Sequence, residues 1–354
     1  MSSELITIID RILLLISDSE NYHRETKDVY DVFGEMRLSL NEIRRRVKAA
    51  SKRYVVAVVG LTNVGKSTLL NALFGVDLAP RRNGPCTAAP IEFVYGDSYQ
   101  VNVEHYNSFT RPHFPCVTIE EVHERLTALA DDSGAERSKS IKRVEVTTPL
   151  ELLKHGLVIA DTPGFGAAQI EGAEGSHEES LKRYLIDKVS QVFWVVLGEQ
   201  GIGKREMEFR DSMFAQICGD IIVTRCEDWD DKDKSRFRQR FTQLFSRIPQ
   251  FHFASGKLGL KAQKENDAQL LEEAGIVAIQ ERIRELSNEN GRLKTIQDSI
   301  LALCEDVTNW WTDYTQENRY LNSLWNPIAL NNWKMFTENI DLPLIKQITN
   351  IINI

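Results

Sequence analysis

An α/β fold with a mainly parallel central sheet flanked by helices is what this sequence predicts. Three observations carry that expectation. Short β-branched apolar runs recur through the middle of the chain, helix-patterned segments separate most of them, and helical texture brackets the whole. With 354 residues, 42% apolar and 27% charged, the chain has the length for one large domain plus an appendage and the composition to bury a core.

The elements follow in order. Residues 4–50 read as helical, because Leu5, Ile8, Ile9, Ile12, Leu15 and Ile16 recur at three- and four-residue spacing. Asp10 and Arg11 interrupt this apolar stretch and no basic leader precedes it, which reads as neither a signal peptide nor a membrane span. A second helical stretch, 27–50, runs into the basic cluster Arg44, Arg45, Arg46, Lys48, Lys52 and Arg53. Two readings stand for it: a solvated helix face, or a surface for an anionic membrane or partner.

At Tyr54 the texture changes. YVVAVVG (54–60) is a continuous β-branched run, the pattern of a strand buried on both faces of a parallel sheet. Similar runs occupy 91–96, 142–149, 156–164, 191–198, 220–226 and 250–256, with helix-patterned segments at 66–75, 118–130, 177–189, 204–217, 233–247 and 266–287. From 277 to about 320 the pattern returns to helix. The expected division is therefore 1–53, 54–276 and 277–354. In the last stretch Asn322, Asn326, Asn331, Asn332, Asn339, Asn350 and Asn353 crowd between Trp325, Trp333 and Phe336. That apolar content implies either an interaction surface or docking on the chain's own helices.

Charge and cysteine usage exclude several classes. Asp and Glu total 51 against 43 Lys and Arg, a formal net charge of −8, so a nucleic-acid-coating protein is not expected and no nucleic acid is read as a partner. Cys86, Cys116, Cys218, Cys226 and Cys304 form no C-x-x-C pair, which argues against a structural zinc site or disulfide framework and fits a cytoplasmic setting.

The sharpest signal follows the first strand-like run. Gly60-Leu61-Thr62-Asn63-Val64-Gly65-Lys66-Ser67-Thr68 satisfies G-x-x-x-x-G-K-[ST], between a predicted strand and a predicted helix. Glycines let backbone N–H groups wrap phosphates, and a helix N-terminus adds its positive dipole end. Lys66 reaches the β- and γ-phosphates in such a loop and the Ser67 hydroxyl binds Mg²⁺. The chain is thus read as binding a nucleoside triphosphate.

Later motifs bear on which one. Asp161-Thr162-Pro163-Gly164 ends an apolar run where a D-x-x-G loop belongs, its aspartate holding Mg²⁺ through water and its Gly164 N–H sensing the γ-phosphate. Between the two motifs, Gly84-Pro85-Cys86-Thr87-Ala88-Ala89-Pro90 precedes a strand. A threonine there can give its hydroxyl to Mg²⁺ when γ-phosphate is present; Thr87 rests on its order in the chain alone.

This ordered set resembles the dynamin superfamily of large GTPases, particularly its bacterial members. The resemblance lies in GLTNVGKSTLLNALFG, PCTAAPIEFVYGD and TPLELLKHGLVIADTPGFG, and in the helical segments before the first strand and after the last. It implies a P-loop GTPase domain with an N-/C-terminal helical bundle. It also implies phosphate binding by Lys66 and Ser67, switch one at Thr87, and switch two at Asp161 and Gly164. The expected reaction is hydrolysis of GTP to GDP and phosphate with Mg²⁺. A homodimer through the GTPase domain, or pairing with a related second subunit, follows from the resemblance alone, as does peripheral contact with the inner face of a membrane.

The base-reading motif departs from the family's [NT]-K-x-D. Here the sequence is Thr224-Arg225-Cys226-Glu227-Asp228, so Glu227 keeps the register one methylene long and Asp228 stands one position late. Arg225 can replace lysine as a flat surface under the base. Ser255-Gly256-Lys257 is similar to the loop that closes over it. Phe165 stands where related enzymes carry a water-orienting glutamine. Asn63 occupies the place of a serine that helps hold a monovalent cation, with Thr62 in place of the neighbouring glutamine. Asparagine there resembles potassium-activated GTPases, where it ligates K⁺; the alternative is that Asn63 only hydrogen-bonds the loop backbone. His105, His113, His123, His155, His177 and His252 show no pairing suggestive of a dyad or metal site. Two rival functions remain, a GTP-dependent switch of the ribosome- or RNA-associated class and a GTP-binding scaffold without turnover.

Overall fold

The computed structural model describes residues 2–22, 27–80, 89–106, 112–131, 141–164, 174–214, 217, 219–244, 249–297, 299–300 and 303. Its chain divides into two compact units, 52–288 and a second made of 1–51 with 289–354. Thr87, Phe165 and the asparagine-rich tail lie outside the described residues.

In the helical unit, α1 (Ser2–Tyr22) packs on α2 (Lys27–Ala50). Leu5, Ile9 and Ile12 of the predicted stripe are buried, with Met36, Leu40, Ile43, Val47 and Ala50 from α2. The basic cluster is not one face. Arg44 pairs with Asp10 at 3.0 Å and Arg45 with Glu42 at 2.6 Å, while Arg46 is fully buried and donates to Ser299 Oγ. Arg292 is also buried and donates to the Ala50 carbonyl at 2.8 Å.

The other unit is built on β1 (Tyr54–Val59), α3 (Lys66–Phe74), β2 (Ile91–Tyr95), β3 (Tyr99–His105), β4 (His113–Cys116), α4 (Ile119–Asp131), β5 (Ile141–Thr148), β6 (Leu157–Asp161), α5 (Glu174–Lys188), β7 (Gln191–Leu197), α6 (Lys204–Met213), β8 (Gly219–Thr224), α7 (Asp231–Thr242), β9 (Phe251–Phe253), α8 (Gly256–Glu265), α9 (Ala268–Glu273) and α10 (Ile276–Ser287). The strand order is β4-β3-β5-β2-β6-β1-β7-β8-β9. From β6 to β9 every neighbour is parallel. β2 is antiparallel to β6 but parallel to β5, and β3 is antiparallel to both β4 and β5. The sheet is therefore mainly parallel, as the patterning predicts. Every residue of β1, β6 and β7 is buried, which is why these three read as unbroken apolar runs.

Departures from the predicted elements have physical causes. The hairpin β3–β4 is not anticipated because Tyr99–His105 buries only Val101 and Val103, and β4 carries Pro115, tolerated at the sheet edge. The segment expected to be one helix from 266 is broken at Gly275, whose φ of 70° and contact with the Phe253 carbonyl exclude a side chain. Residues after Ser255, expected as a loop, form α8. The boundary expected after 276 falls after 288, because α10 buries Ile276, Ile279, Ile283 and Leu286, while Gln280 donates to the Leu73 carbonyl and Arg282 to Asp220.

One buried charge stands out in the sheet. Glu92 on β2 is fully buried and is bound by Arg53 at 2.5 Å, Arg143 at 2.6 Å and the Tyr184 hydroxyl at 2.9 Å. Burial and the neighbouring carboxylate push the Tyr184 hydroxyl well above its usual range, so it remains a neutral donor. Among the described residues no helix is long and apolar enough to cross a membrane.

Candidate functional site

The site forms where β1 and β6 end side by side, Val58 being in register with Asp161. In open α/β sheets ligands bind in the crevice outside the carboxyl ends of the strands. β1 runs into the predicted phosphate loop, and the two glycines there serve different ends. Gly60 is required by space, since a Cβ would stand 2.5 Å from the Val195 carbonyl oxygen. Gly65 has open space around it but a φ of 91°, and it is the residue from which α3 starts. Asn63 also lies in the left-handed region at φ 62°, a conformation asparagine accepts more readily than most residues.

Lys66 is only 8% exposed, and its Nζ donates to the carbonyls of Gly60 at 3.1 Å and Leu61 at 2.8 Å. Burial lowers its pKa, and the nearby Asp161 carboxylate opposes that shift. The Ser67 hydroxyl donates to Asp161 Oδ2 at 2.8 Å. Asp161 is itself buried, which raises its pKa to about 6 against the opposing pull of Lys66 and Ser67. A hydroxyl and a carboxylate in contact at a helix N-terminus form a small hard-oxygen donor set. That set fits Mg²⁺, which takes few protein ligands and keeps several waters. Among the described residues no group of three or more His, Cys, Asp or Glu could hold a metal.

The D-x-x-G segment is tied to the loop on both sides of Asp161. Thr162 is buried and its hydroxyl donates to the Val58 carbonyl at 2.8 Å. A Cβ on Gly164 would lie 2.8 Å from Thr62 Cα, so the two segments touch. Thr162 has an anchoring role that its sequence context did not single out; the only signal was a hydroxyl at a strand end.

On the other flank, the Thr224 hydroxyl donates to the Val64 carbonyl at 2.8 Å, pinning the phosphate loop to the end of β8. Arg225, at φ 53°, extends its guanidinium to the Asn63 carbonyl at 3.4 Å. Glu227 Oε1 accepts from Ser255 Oγ at 2.6 Å, and Ser255 also caps α8 by accepting from the Leu258 amide. No described group bonds the exposed Asp228 carboxylate. Gly256 packs against α3, where a Cβ would come within 2.8 Å of the Leu69 nitrogen. Lys257 is exposed and, with Thr68, lines a cleft of about 520 Å³ between α3 and α8.

The structure thus gathers Gly60, Thr62, Asn63, Val64, Gly65, Lys66, Ser67, Thr68, Asp161, Gly164, Thr224, Arg225, Glu227 and Ser255 around one crevice. The Asn63 side chain is exposed and makes no hydrogen bond among the described residues, so the alternative in which it braces the loop backbone has no bond to rest on. His113 meets Asn102, and His252 lies 3.5 Å from Asp220 at the far end of β8, away from this crevice.

Residues 56–216 match the family model described as Dynamin family. The chain is similar to an uncharacterised protein from the xynA 3′ region of Caldicellulosiruptor, 22% identical over 270 residues, covering 73% of this chain and 64% of that protein. Dynamin-like protein 2 of Campylobacter jejuni is 21% identical over 266 residues, 75% of this chain and 40% of the relative. The bacterial dynamin-like protein of Nostoc punctiforme is 32% identical over 156 residues, 41% of this chain and 21% of the relative. A chain of a solved oligomerised bacterial dynamin pair has a TM-score of 0.49 at 17% identity, covering 97% of this chain and 52% of that one. The chain therefore spans less than two thirds of each of these proteins.

Proposed function

Because the chain belongs to the dynamin superfamily, we propose that it binds GTP and hydrolyses it to GDP and phosphate. The observation that carries this reading is the contact of Ser67 with Asp161 at 2.8 Å, one residue from Lys66 and at the end of a strand paired with the one that bears the loop. Lys66 exchanges its two carbonyl partners for the β- and γ-phosphates, whose charge is a stronger partner than a neutral carbonyl. Loop N–H groups and the start of α3 bind the remaining phosphate oxygens. Ser67, Asp161 and Thr87 are the residues that would hold Mg²⁺, which supplies charge compensation on the β- and γ-oxygens. The Gly164 N–H faces the γ-phosphate.

At the nucleoside end, Glu227 accepts hydrogen bonds from guanine, pre-positioned by Ser255, while Arg225 lies under the base. In the absence of a glutamine after Gly164, we place a K⁺ ion at Asn63, whose side-chain oxygen accepts no hydrogen bond among the described residues and suits a monovalent cation. GTP-dependent association, with a second copy or a related subunit, and peripheral contact with a membrane at its cytoplasmic face extend the reading. Family membership supports them.

The test is phosphate release from GTP and from ATP, each with Mg²⁺, followed by co-sedimentation with anionic liposomes in GTP, GDP and a non-hydrolysable analogue. Turnover of GTP well above ATP supports the reading. Equal turnover of both would remove the guanine assignment, and no turnover of either would leave a binding scaffold.

A further inference from the structure

Asn71 on α3 is fully buried and uses every hydrogen-bonding position its side chain has. Its Nδ2 donates to Asp77 Oδ1 at 2.6 Å and to the Ala79 carbonyl at 2.8 Å. Its Oδ1 accepts from the amides of Leu78 at 2.9 Å and Ala79 at 2.6 Å. A primary amide offers two donor hydrogens and an oxygen with two lone pairs, so the group is saturated. Aspartate supplies only acceptors, and an apolar residue of similar size supplies neither. The segment it grips follows directly on α3, where Gly75 at φ 75° turns the chain back.

That segment is one wall of the cleft between α3 and α8. Gly75, Val76 and Asp77 line it from the end of α3, Lys257 and Leu260 from α8, and Thr68 from the start of α3. Thr68 adjoins Ser67 of the metal pair, and Lys257 lies just beyond Ser255, which binds Glu227. The cleft therefore borders residues next to both ends of the site and continues along α8 past Lys261 and Lys264.

We propose that Asn71 is a positioning residue for the nucleoside end of the bound nucleotide, holding the Gly75–Asp77 wall opposite Lys257. This rests on the nucleotide-site reading above. Asn71 touches no part of the nucleotide itself; it acts through the wall. A purely structural role, closing the end of α3, would disturb the phosphate loop and the nucleoside side together. A positioning role separates them.

The test uses Asn71→Asp, which keeps the size and both accepting lone pairs but loses both donors and sets a carboxylate against that of Asp77. The double variant Asn71→Asp with Asp77→Asn restores a donor between the two side chains. GDP and inorganic tripolyphosphate binding are measured by calorimetry, and GTP turnover by phosphate release. Loss of buried hydrogen bonds to the wall should weaken GDP binding and raise KM for GTP about tenfold. Tripolyphosphate affinity and kcat should change by less than about twofold, since uniform binding is lost and the reacting end is untouched. The double variant should recover most of the loss.

Unchanged GDP affinity in a folded Asn71→Asp protein would overturn the proposal, as would a parallel loss of tripolyphosphate binding. Should that variant not fold, Asp77→Ala at the exposed end of the same contact carries the test, with about a threefold rise in KM expected and no change counting against it. A wild-type protein that binds tripolyphosphate but not GDP would defeat the nucleoside-end reading. One that binds neither would defeat the nucleotide site as a whole.

Discussion

Replacing Asp161 by asparagine should make the nucleotide-free protein more stable at neutral pH while abolishing Mg²⁺-dependent hydrolysis. Asp161 is buried beside Ser67 and its pKa is raised from the ordinary 3.8 to about 6, with burial the leading cause. A shift of roughly two units corresponds to about 3 kcal/mol between the protonation states. The sign follows from proton linkage. Between 3.8 and 6 the folded state holds the proton and the unfolded state has released it, so stability falls as pH rises through that window. The contribution is fully favourable below the unfolded value and is lost above the folded one. The substituted amide is neutral throughout and can still accept from Ser67, so the difference between wild type and variant isolates the carboxylate. Lys66 tempers the gain, because it loses its nearest anion when the carboxylate goes. Urea unfolding of both proteins from pH 4 to pH 7.5, without nucleotide or Mg²⁺, measures the difference. The variant should gain on wild type by up to about 3 kcal/mol across the window and then level off. A flat difference, or one that reverses, would refute the claim that burial holds this carboxylate's proton.

Three further outcomes are expected. Glu227→Ala should weaken GTP binding more than Asp228→Ala, because only Glu227 is engaged by Ser255; fluorescence titration with a labelled guanine nucleotide decides the order. GTP turnover should be faster in potassium than in sodium at equal ionic strength, and Asn63→Ala should remove that difference with little change in affinity; equal rates in the wild type would count against a cation at Asn63. Tyr184→Phe removes the hydroxyl that donates to the buried Glu92, which retains Arg53 and Arg143. It should cost about 1.5–3 kcal/mol in urea unfolding while leaving KM for GTP within about twofold, and an unchanged unfolding midpoint would contradict the assigned bond.

The parts of the fold that were legible in advance are those where burial imposes a uniform pattern. β1, β6 and β7 are buried along their whole length and read directly as apolar runs, and the phosphate loop betrays itself because Gly60 and Gly65 each meet a backbone demand. The hairpin β3–β4 was not legible, since most of its residues are only partly buried and its edge strand carries a proline. α8 was hidden because its signals are a serine cap and glycines, residues equally at home in a loop. The pairing of Ser255 with Glu227 joins positions remote in sequence, and no local pattern announces it. Glu92 is the extreme case. A glutamate in a strand reads as solvent-facing, yet two arginines and a tyrosine from elsewhere in the chain make its burial tolerable.

The central claim is that Lys66, Ser67 and Asp161 form a Mg²⁺-dependent site for GTP hydrolysis. It is tested most directly by phosphate release from GTP, measured side by side for wild type and Lys66→Ala, each with Mg²⁺ and with excess chelator. Lys66 is a buried cation that contributes charge rather than apolar packing, so the variant should keep its far-ultraviolet circular dichroism. Turnover by the wild type only in Mg²⁺, with Lys66→Ala reduced at least about a hundredfold, is the predicted result. A folded Lys66→Ala protein that hydrolyses GTP at the wild-type rate, or turnover that survives the chelator undiminished, would contradict it.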